Sequence, residues 1–151
     1  MPEISVVTPI RAPIERCFDL ARDLDLHIRS QQHAQERAVA GRTSGLIELG
    51  ESVTWEARHF GVRQRLTSRI TVFERPHLFQ DKMTHGAFKS FVHDHIFATA
   101  ETATLMTDRL VFESPLGPLG RIFNYLVLTR YLRRLLTARA HVIKQAAEGS
   151  Q

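Results

Sequence analysis

The sequence is poor in the residues on which several classes of protein depend. It has one cysteine, Cys17, among 151 residues, so no disulfide can form within the chain. No apolar run approaches the ~20 residues that a membrane-spanning helix needs. The first residues, from Met1 to Ile4, lack the basic and then apolar stretch of a secretory signal. These absences predict a cytoplasmic protein, and the length predicts one domain over residues 1–151.

Familiar catalytic signatures are also missing. The sequence has no glycine-rich phosphate loop, no nucleophile elbow and no zinc-site spacing. Aromatic residues are not interleaved with basic ones, and no motif that reads nucleic acids occurs. We therefore expect no cofactor, no bound metal and no nucleic-acid partner. No pattern specifies an oligomeric state.

The positive charge is unevenly distributed. The net charge of the chain is +4. Residues 118–151 contain six Lys or Arg residues and one Glu, so this segment has a net charge of +5 and the rest of the chain has −1. A long helix is predicted there, from Leu119 to Ala147, with the basic residues mostly off its apolar face. Arg133 and Arg134 could contact an anionic membrane surface, where basic side chains are attracted. The alternative is an ordinary solvated helix face.

Hydrophobic periodicity predicts the other elements. Residues 3–10 alternate as a strand, and Pro13 suits the first turn of a short helix that continues to Leu20. A second short helix is predicted over residues 24–32. From residue 51 onward the pattern is one of consecutive hairpins.

The first hairpin can be given a register. If Phe60 and Gly61 form a two-residue turn, Trp55 pairs with Leu66 and Ala57 with Gln64. The inward-facing sets of the two strands then agree, which supports this register. Strict alternation would also place Val72 on the inward face.

The strand over residues 91–97, Phe-Val-His-Asp-His-Ile-Phe, has the most unusual pattern. Its alternation places Phe91, His93, His95 and Phe97 on one face. A two-residue turn at Glu101 and Thr102 would then set His95 opposite Asp108. The same count sets Phe97 opposite Met106, and His93 opposite Leu110.

Buried imidazoles need partners, because burying an unpaired polar group is unfavourable. His93, His95 and Asp108 could form a metal site of two histidines and one carboxylate. They could instead be acid–base groups. Asp108 would then raise the pKa of His95, and either His93 or Gln64 would donate a hydrogen bond to an enolate. We favour a hydrogen-bonded pair of His95 and Asp108 within the sheet. In this arrangement His93 has no evident partner.

Several motifs resemble a known superfamily. Residues Thr8-Pro9-Ile10-x-Ala12-Pro13 followed by Phe18 resemble the N-terminal signature of the Bet v 1/START-like (SRPBCC) superfamily. Val53-Thr54-Trp55, Phe91-x-His93-x-His95-x-Phe97, Asp108-Arg109-Leu110-x-Phe112 and Pro115-Leu116-Gly117 resemble a bacterial ligand-binding, polyketide cyclase-like subfamily. The resemblance implies an α+β helix-grip fold, with a curved antiparallel sheet of about seven strands around a long C-terminal helix. Two short helices would follow the first strand.

The resemblance also implies a cavity between the sheet and the long helix for a small hydrophobic or amphipathic ligand, such as a lipid or polyketide. From the inward faces we expect twelve residues to line it: Trp55, Gln64, Leu66, Phe91, His93, His95, Phe97, Asp108, Leu110, Phe112, Phe123 and Leu126. Binding without chemistry is the favoured function. The alternatives are an aromatase/cyclase-like enzyme using the His–Asp pair and a basic peripheral-membrane lipid carrier. No role is expected for five other histidines: His27, His33, His77, His85 and His141.

Overall fold

The computed structural model describes residues 2–114 and 117–149, and within the second range it leaves out the side chains of residues 120, 121, 123 and 124. The seven strands are β1 (Glu3–Ile10), β2 (Arg37–Gly41), β3 (Ser52–His59), β4 (Val62–Glu74), β5 (Leu78–His85), β6 (Ser90–Ala100) and β7 (Ala103–Glu113). The helices are α1 (Ile14–Ala21), α2 (Leu24–Ser30), α3 (Gly117–Phe123) and α4 (Thr129–Gly149). A short 3₁₀ turn, Gln32–Ala34, follows α2, and a π-helical stretch, Asn124–Leu128, joins α3 to α4.

The strands form one antiparallel sheet in the order β1-β7-β6-β5-β4-β3-β2. Among the strands that the structure describes, only β1 and β7 are neighbours in the sheet but distant in sequence, and every other neighbour follows directly along the chain. The curved sheet, the long C-terminal helix and the two short helices after β1 confirm the predicted α+β helix-grip fold. This arrangement leaves space between α4 and the inner face of the sheet.

Two hairpins have the predicted register. Phe60 and Gly61, with φ of 52° and 75°, are both left-handed, as the tightest hairpin turn requires. Trp55 accordingly pairs with Leu66. In the β6–β7 hairpin, His95 pairs with Asp108 along the backbone, and the other two predicted pairs of this hairpin also form.

One feature of β4 departs from the prediction. The pairing with β5 shifts register between Ile70 and Val72, which marks a β-bulge. A bulge inserts one extra residue and so reverses the alternation beyond it. Phe73 therefore packs into the core in place of Val72.

The C-terminal helical segment begins two residues before the predicted Leu119. Its first described residue is Gly117, and residues 115 and 116 of the Pro-Leu-Gly motif lie outside the described residues. The inner face of α4 repeats at helical spacing and is buried at Leu132, Leu136, Ala140 and Ile143. No helix among the described residues is long and apolar enough to cross a membrane.

The larger of two core clusters contains an aromatic group that packs α1 against the sheet. The ring of Phe18 on α1 is fully buried and meets the rings of Phe73, Phe79 and Phe97 edge-on, at centroid distances of 5.4, 5.2 and 5.4 Å. Aromatic pairs favour this geometry. The last residue of α1, Ala21, also lies on the wall of the space under α4.

Candidate functional site

A cavity of about 510 Å³ lies between the sheet and α4. Most of its wall is apolar and comes from strands β3, β4 and β6 and from one face of α4. Leu132, Leu135 and Leu136 form the helical side, while Trp55, Leu66 and Leu110 belong to the sheet side. Polar side chains also contribute to the wall, but most of its exposed area is apolar, which is typical of small-molecule pockets.

The structure describes the side chains of eleven of the twelve residues expected to line the cavity, and these lie in three different places. Seven are on its wall: Trp55, Gln64, Leu66, Phe91, His93, His95 and Leu110. Phe97, Asp108 and Phe112 are at most 2% exposed and lie behind the wall. Leu126 is 59% exposed at the surface. The side chain of Phe123 lies outside the described residues.

The three residues behind the wall are excluded because other side chains cover them. Phe97 is covered by Phe18 of α1. Phe112 belongs to a separate apolar cluster that includes Leu132. Alternation along a strand predicts which face a side chain occupies, but not which other element covers it.

A buried polar cluster lies at the inner end of the cavity. Oδ1 of Asp108, which is completely buried, lies 3.0 Å from Nε2 of His93 and 3.1 Å from Nη1 of Arg139. Arg139 also donates from Nη2 to the carbonyl oxygen of Ala21, at 2.6 Å. This arginine therefore links α4 to strand β7 and to the end of α1.

The second carboxylate of the cluster is Asp81 on β5. Its Oδ2 lies 2.7 Å from Nε2 of His95 and 4.0 Å from Nδ1 of His93. The side chain of Asp81 is 19% exposed and lies on the cavity wall. The ring of His95 is held parallel to that of Phe79, at a centroid distance of 4.0 Å.

The predicted His95–Asp108 pair must therefore be corrected. The two residues are backbone partners, but Nδ1 of His95 is 3.4 Å from Oδ1 of Asp108, and among the described residues it has no hydrogen-bond partner. The close partner of His95 is Asp81. His93, for which no partner was expected, is the residue that hydrogen-bonds Asp108. An acid–base pair facing the cavity would consist of His95 and Asp81.

Burial and charge compete within this cluster. Burial would raise the pKa of Asp108, but the contacts with His93 and His95 and the charge of Arg139 outweigh it and hold the pKa well below its usual value. Burial lowers the pKa of His93, and a charge on His95 would lower it further, against the opposing effect of the carboxylates. Asp108 is therefore a carboxylate, and burial favours the neutral imidazole of His93.

Arg139 is a member of the site that the sequence interpretation missed. It was grouped with basic residues off the apolar face, yet it is only 4% exposed. Its position relative to Leu132, Leu136 and Ile143 follows the spacing of the buried face of α4. That spacing was the available signal, because an arginine on an apolar face requires a buried acidic partner.

Other polar residues of the cavity wall were also missed. The ring of His27, expected to have no role, packs against Trp55 in a tilted arrangement at a centroid distance of 4.4 Å and contacts the carboxylate of Glu36. In a second pair, Nδ1 of His59 lies 2.6 Å from the hydroxyl oxygen of Tyr131. These pairs place polar groups around a largely apolar space.

Comparison with models of protein families identifies a family that this sequence matches. Residues 1–148 match the model of a family described as polyketide cyclase/dehydrase and lipid transport. A comparison with curated proteins gives no significant match.

Solved structures show the same fold at low sequence identity. The protein TTHA0849 from Thermus thermophilus superposes with a TM-score of 0.74 at 20% identity, covering 97% of this chain and 100% of that one. A START superfamily protein from Mycobacterium smegmatis has a TM-score of 0.73 at 12% identity, with 99% of each chain covered. The major latex-like protein 151 from Panax ginseng has a TM-score of 0.71 at 17% identity, with 97% of each covered.

Proposed function

The chain belongs to the polyketide cyclase/dehydrase and lipid transport family, and from this membership we propose that it binds a small amphipathic molecule in the cavity beneath α4. The observation that carries the proposal is the polarity of the cavity, whose wall is apolar over most of its extent and charged at its inner end. The apolar part of the ligand would lie between the leucines of α4 and Trp55. Its polar group would face Asp81, His93 and His95.

The size of the cavity suits such a ligand. At about 510 Å³ it falls within the roughly 300–1,000 Å³ typical of small-molecule sites. Burying an apolar ligand surface contributes about 25 cal/mol per Å². The apolar wall would supply most of the affinity, and the few polar groups would fix the orientation of the ligand.

Mass spectrometry of gently purified protein tests this proposal. We expect an amphipathic molecule to co-purify with the wild type and to be lost from Ala57→Phe, because Ala57 lies on the cavity wall and the larger ring would fill the space. The matched control is Arg58→Phe, which adds the same ring at the next residue, on the exposed side of β3. Equal amounts of co-purified molecule in both variants would contradict binding in the cavity.

A second candidate function is delivery of the ligand at a membrane. Five apolar residues of α3 and the π-helical stretch are exposed by 40–79%: Leu119, Ile122, Tyr125, Leu126 and Val127. This surface continues into Leu128 and Tyr131 on the cavity wall, so it lies beside the cavity.

Basic side chains lie next to this apolar surface. Arg130, Arg133 and Arg134 are exposed on the first two turns of α4. An anionic bilayer offers apolar contact and negative charge together, and we propose it as the partner of this surface.

A further inference from the structure

We propose that Asp81, His93 and His95 bind a divalent transition-metal ion of the Zn²⁺ type at the inner end of the cavity, with Asp108 orienting both imidazoles from behind. One potential ligand atom from each of the first three residues lies within 4.8 Å of the other two. Two imidazoles and one carboxylate are a ligand set found in protein sites for Zn²⁺ and for iron.

The sheet brings these residues together from three adjacent strands. Asp81 on β5 and His93 on β6 are direct backbone partners. His95 follows two residues after His93 and so projects from the same face, with ring centroids 3.8 Å apart. Asp108 on β7 lies on the far side of β6. The histidines therefore lie between two carboxylates.

The distances are close to those of a coordination site. Zn²⁺ binds nitrogen and oxygen ligands at about 2.0–2.2 Å, which separates two ligands of a tetrahedral site by roughly 3.4 Å. Oδ2 of Asp81 lies 2.7 Å from Nε2 of His95 and 4.0 Å from Nδ1 of His93. Both separations come within roughly 0.7 Å of the required value, and the potential ligand atoms of all three residues lie within 4.8 Å of one another, so metal binding requires an adjustment of the side chains.

Asp108 is placed where metal sites have their outer carboxylate. Its Oδ1 lies 3.0 Å from Nε2 of His93 and 3.4 Å from Nδ1 of His95. These are the ring nitrogens that would not touch the metal. Metal-binding histidines commonly donate their second N–H to such a carboxylate, which fixes the tautomer and the orientation of the ring.

A cation also resolves a conflict between lone pairs. If Nε2–H of His93 donates to Asp108, the lone pair on Nδ1 of His93 is directed toward Asp81. If Nε2–H of neutral His95 donates to Asp81, the lone pair on Nδ1 of His95 faces Asp108. A metal bound by Nδ1 of His93 and Nε2 of His95 lets Nδ1–H of His95 donate to Asp108, so each buried nitrogen is satisfied.

The charge of the cluster favours a cation as well. With neutral imidazoles, the two carboxylates carry −2 and Arg139 carries +1, a sum of −1. Arg139 contacts Asp108 at 3.1 Å and so neutralises the outer carboxylate. Asp81, His93 and His95 all lie on the cavity wall, where a metal would be open to a ligand oxygen. Binding of a metal and binding of a hydrophobic molecule can be measured separately. The test of the metal site is therefore independent of the test of the proposed ligand.

Isothermal titration of chelator-treated protein with Zn²⁺ tests the proposal. We expect one ion per chain. Loss of a direct ligand should weaken binding by more than the loss of an outer carboxylate, whose upper limit is about 100-fold. We therefore expect a larger effect than this from each of three variants: Asp81→Asn, His93→Gln and His95→Gln. Asp108→Asn should weaken binding by about 10–100-fold, as outer carboxylates typically do. Co²⁺ should give a visible absorption band with the wild type, and the band should change in Asp108→Asn because the imidazoles lose their orientation.

The exposed His85→Gln variant controls for adventitious binding to surface histidines and should bind Zn²⁺ like the wild type. Circular dichroism identifies any variant that fails to fold. If Asp108→Asn unfolds, Asp81→Asn decides the matter, because its side chain is partly exposed on the cavity wall. A dissociation constant of about 1 mM describes a very weak complex. If the protein binds no Zn²⁺ at this concentration, the proposal is overturned. Binding that is unchanged in folded Asp81→Asn and His93→Gln would overturn it as well.

Discussion

Nη1 of Arg139 on α4 lies 3.1 Å from Oδ1 of Asp108 on β7, and both side chains are buried. This ion pair joins the long helix to strand β7 at the inner end of the cavity. Since Asp108 also holds His93, the position of α4 and the orientation of the imidazole depend on the same carboxylate.

Removing one partner of this ion pair should destabilise the fold strongly. Arg139→Ala leaves Asp108 buried without its counter-charge, which costs about 3–5 kcal/mol in the free energy of unfolding. Urea denaturation measures the loss. The double variant Arg139→Met with Asp108→Asn removes both charges, so it should lose less than the sum of the losses in Arg139→Met alone and Asp108→Asn alone. A loss below about 1 kcal/mol for Arg139→Ala would fall within the range of exposed ion pairs and would contradict the assigned role.

The aromatic cluster around Phe18 should contribute strongly to the stability of the fold. Phe18→Ala removes a fully buried ring that contacts three others, and the expected loss is about 3–5 kcal/mol. Leu49 is 59% exposed, so Leu49→Ala should change the unfolding free energy by less than about 0.5 kcal/mol. Equal losses in the two variants would be inconsistent with this core.

Glu56 should give the fold an acid-dependent contribution. Hydrogen bonds from Arg37, Arg63 and Arg65 lower its pKa to about 2. Because the pKa of Glu56 is lower in the folded state than in the unfolded state, its charge stabilises the fold when the pH is above the unfolded-state pKa near 4.5. This contribution is lost as the pH falls toward 2.

Denaturant unfolding at several pH values measures this effect. Glu56→Gln should be less stable than the wild type at pH 7, and the difference should shrink between pH 4.5 and about 2. Glu74→Gln controls for the loss of one negative charge from the sheet. A difference between Glu56→Gln and the wild type that is independent of pH would show that the three arginines do not act through the charge of Glu56.

Membrane delivery predicts salt-sensitive binding to anionic vesicles. Arg133→Glu combined with Arg134→Glu should abolish sedimentation with phosphatidylserine-containing vesicles, because each basic side chain contributes about 1 kcal/mol near such a surface. Arg58→Glu, which changes charge on the outer face of the sheet, should bind like the wild type. Binding that persists unchanged at high salt would exclude the electrostatic part of this mechanism.

The strand registers that could be predicted from the sequence are those fixed by two-residue turns. Such a turn leaves one possible pairing, as between Trp55 and Leu66 or between His95 and Asp108. The β5–β6 connection is longer and does not specify a register in this way. Asp81 was missed for that reason, although it is the close partner of His95.

The remaining errors concern how elements cover one another. The bulge in β4 brings Phe73 inward, because a local insertion changes the alternation without a sequence signature. Phe97 and Phe112 are on the predicted face but are covered by neighbouring side chains. Periodicity identifies buried faces, while the boundary between core and cavity depends on the positions of α1 and α4.

The sole tryptophan allows the most direct test of ligand binding in the cavity. Trp55 lies on the cavity wall, so energy transfer from it to bound 1-anilinonaphthalene-8-sulfonate reports occupancy. We expect saturable transfer with one probe per chain in the wild type and in Arg58→Phe, and none in Ala57→Phe. Transfer that does not saturate, or that is the same in Ala57→Phe as in the wild type, would contradict a ligand-binding cavity beneath α4.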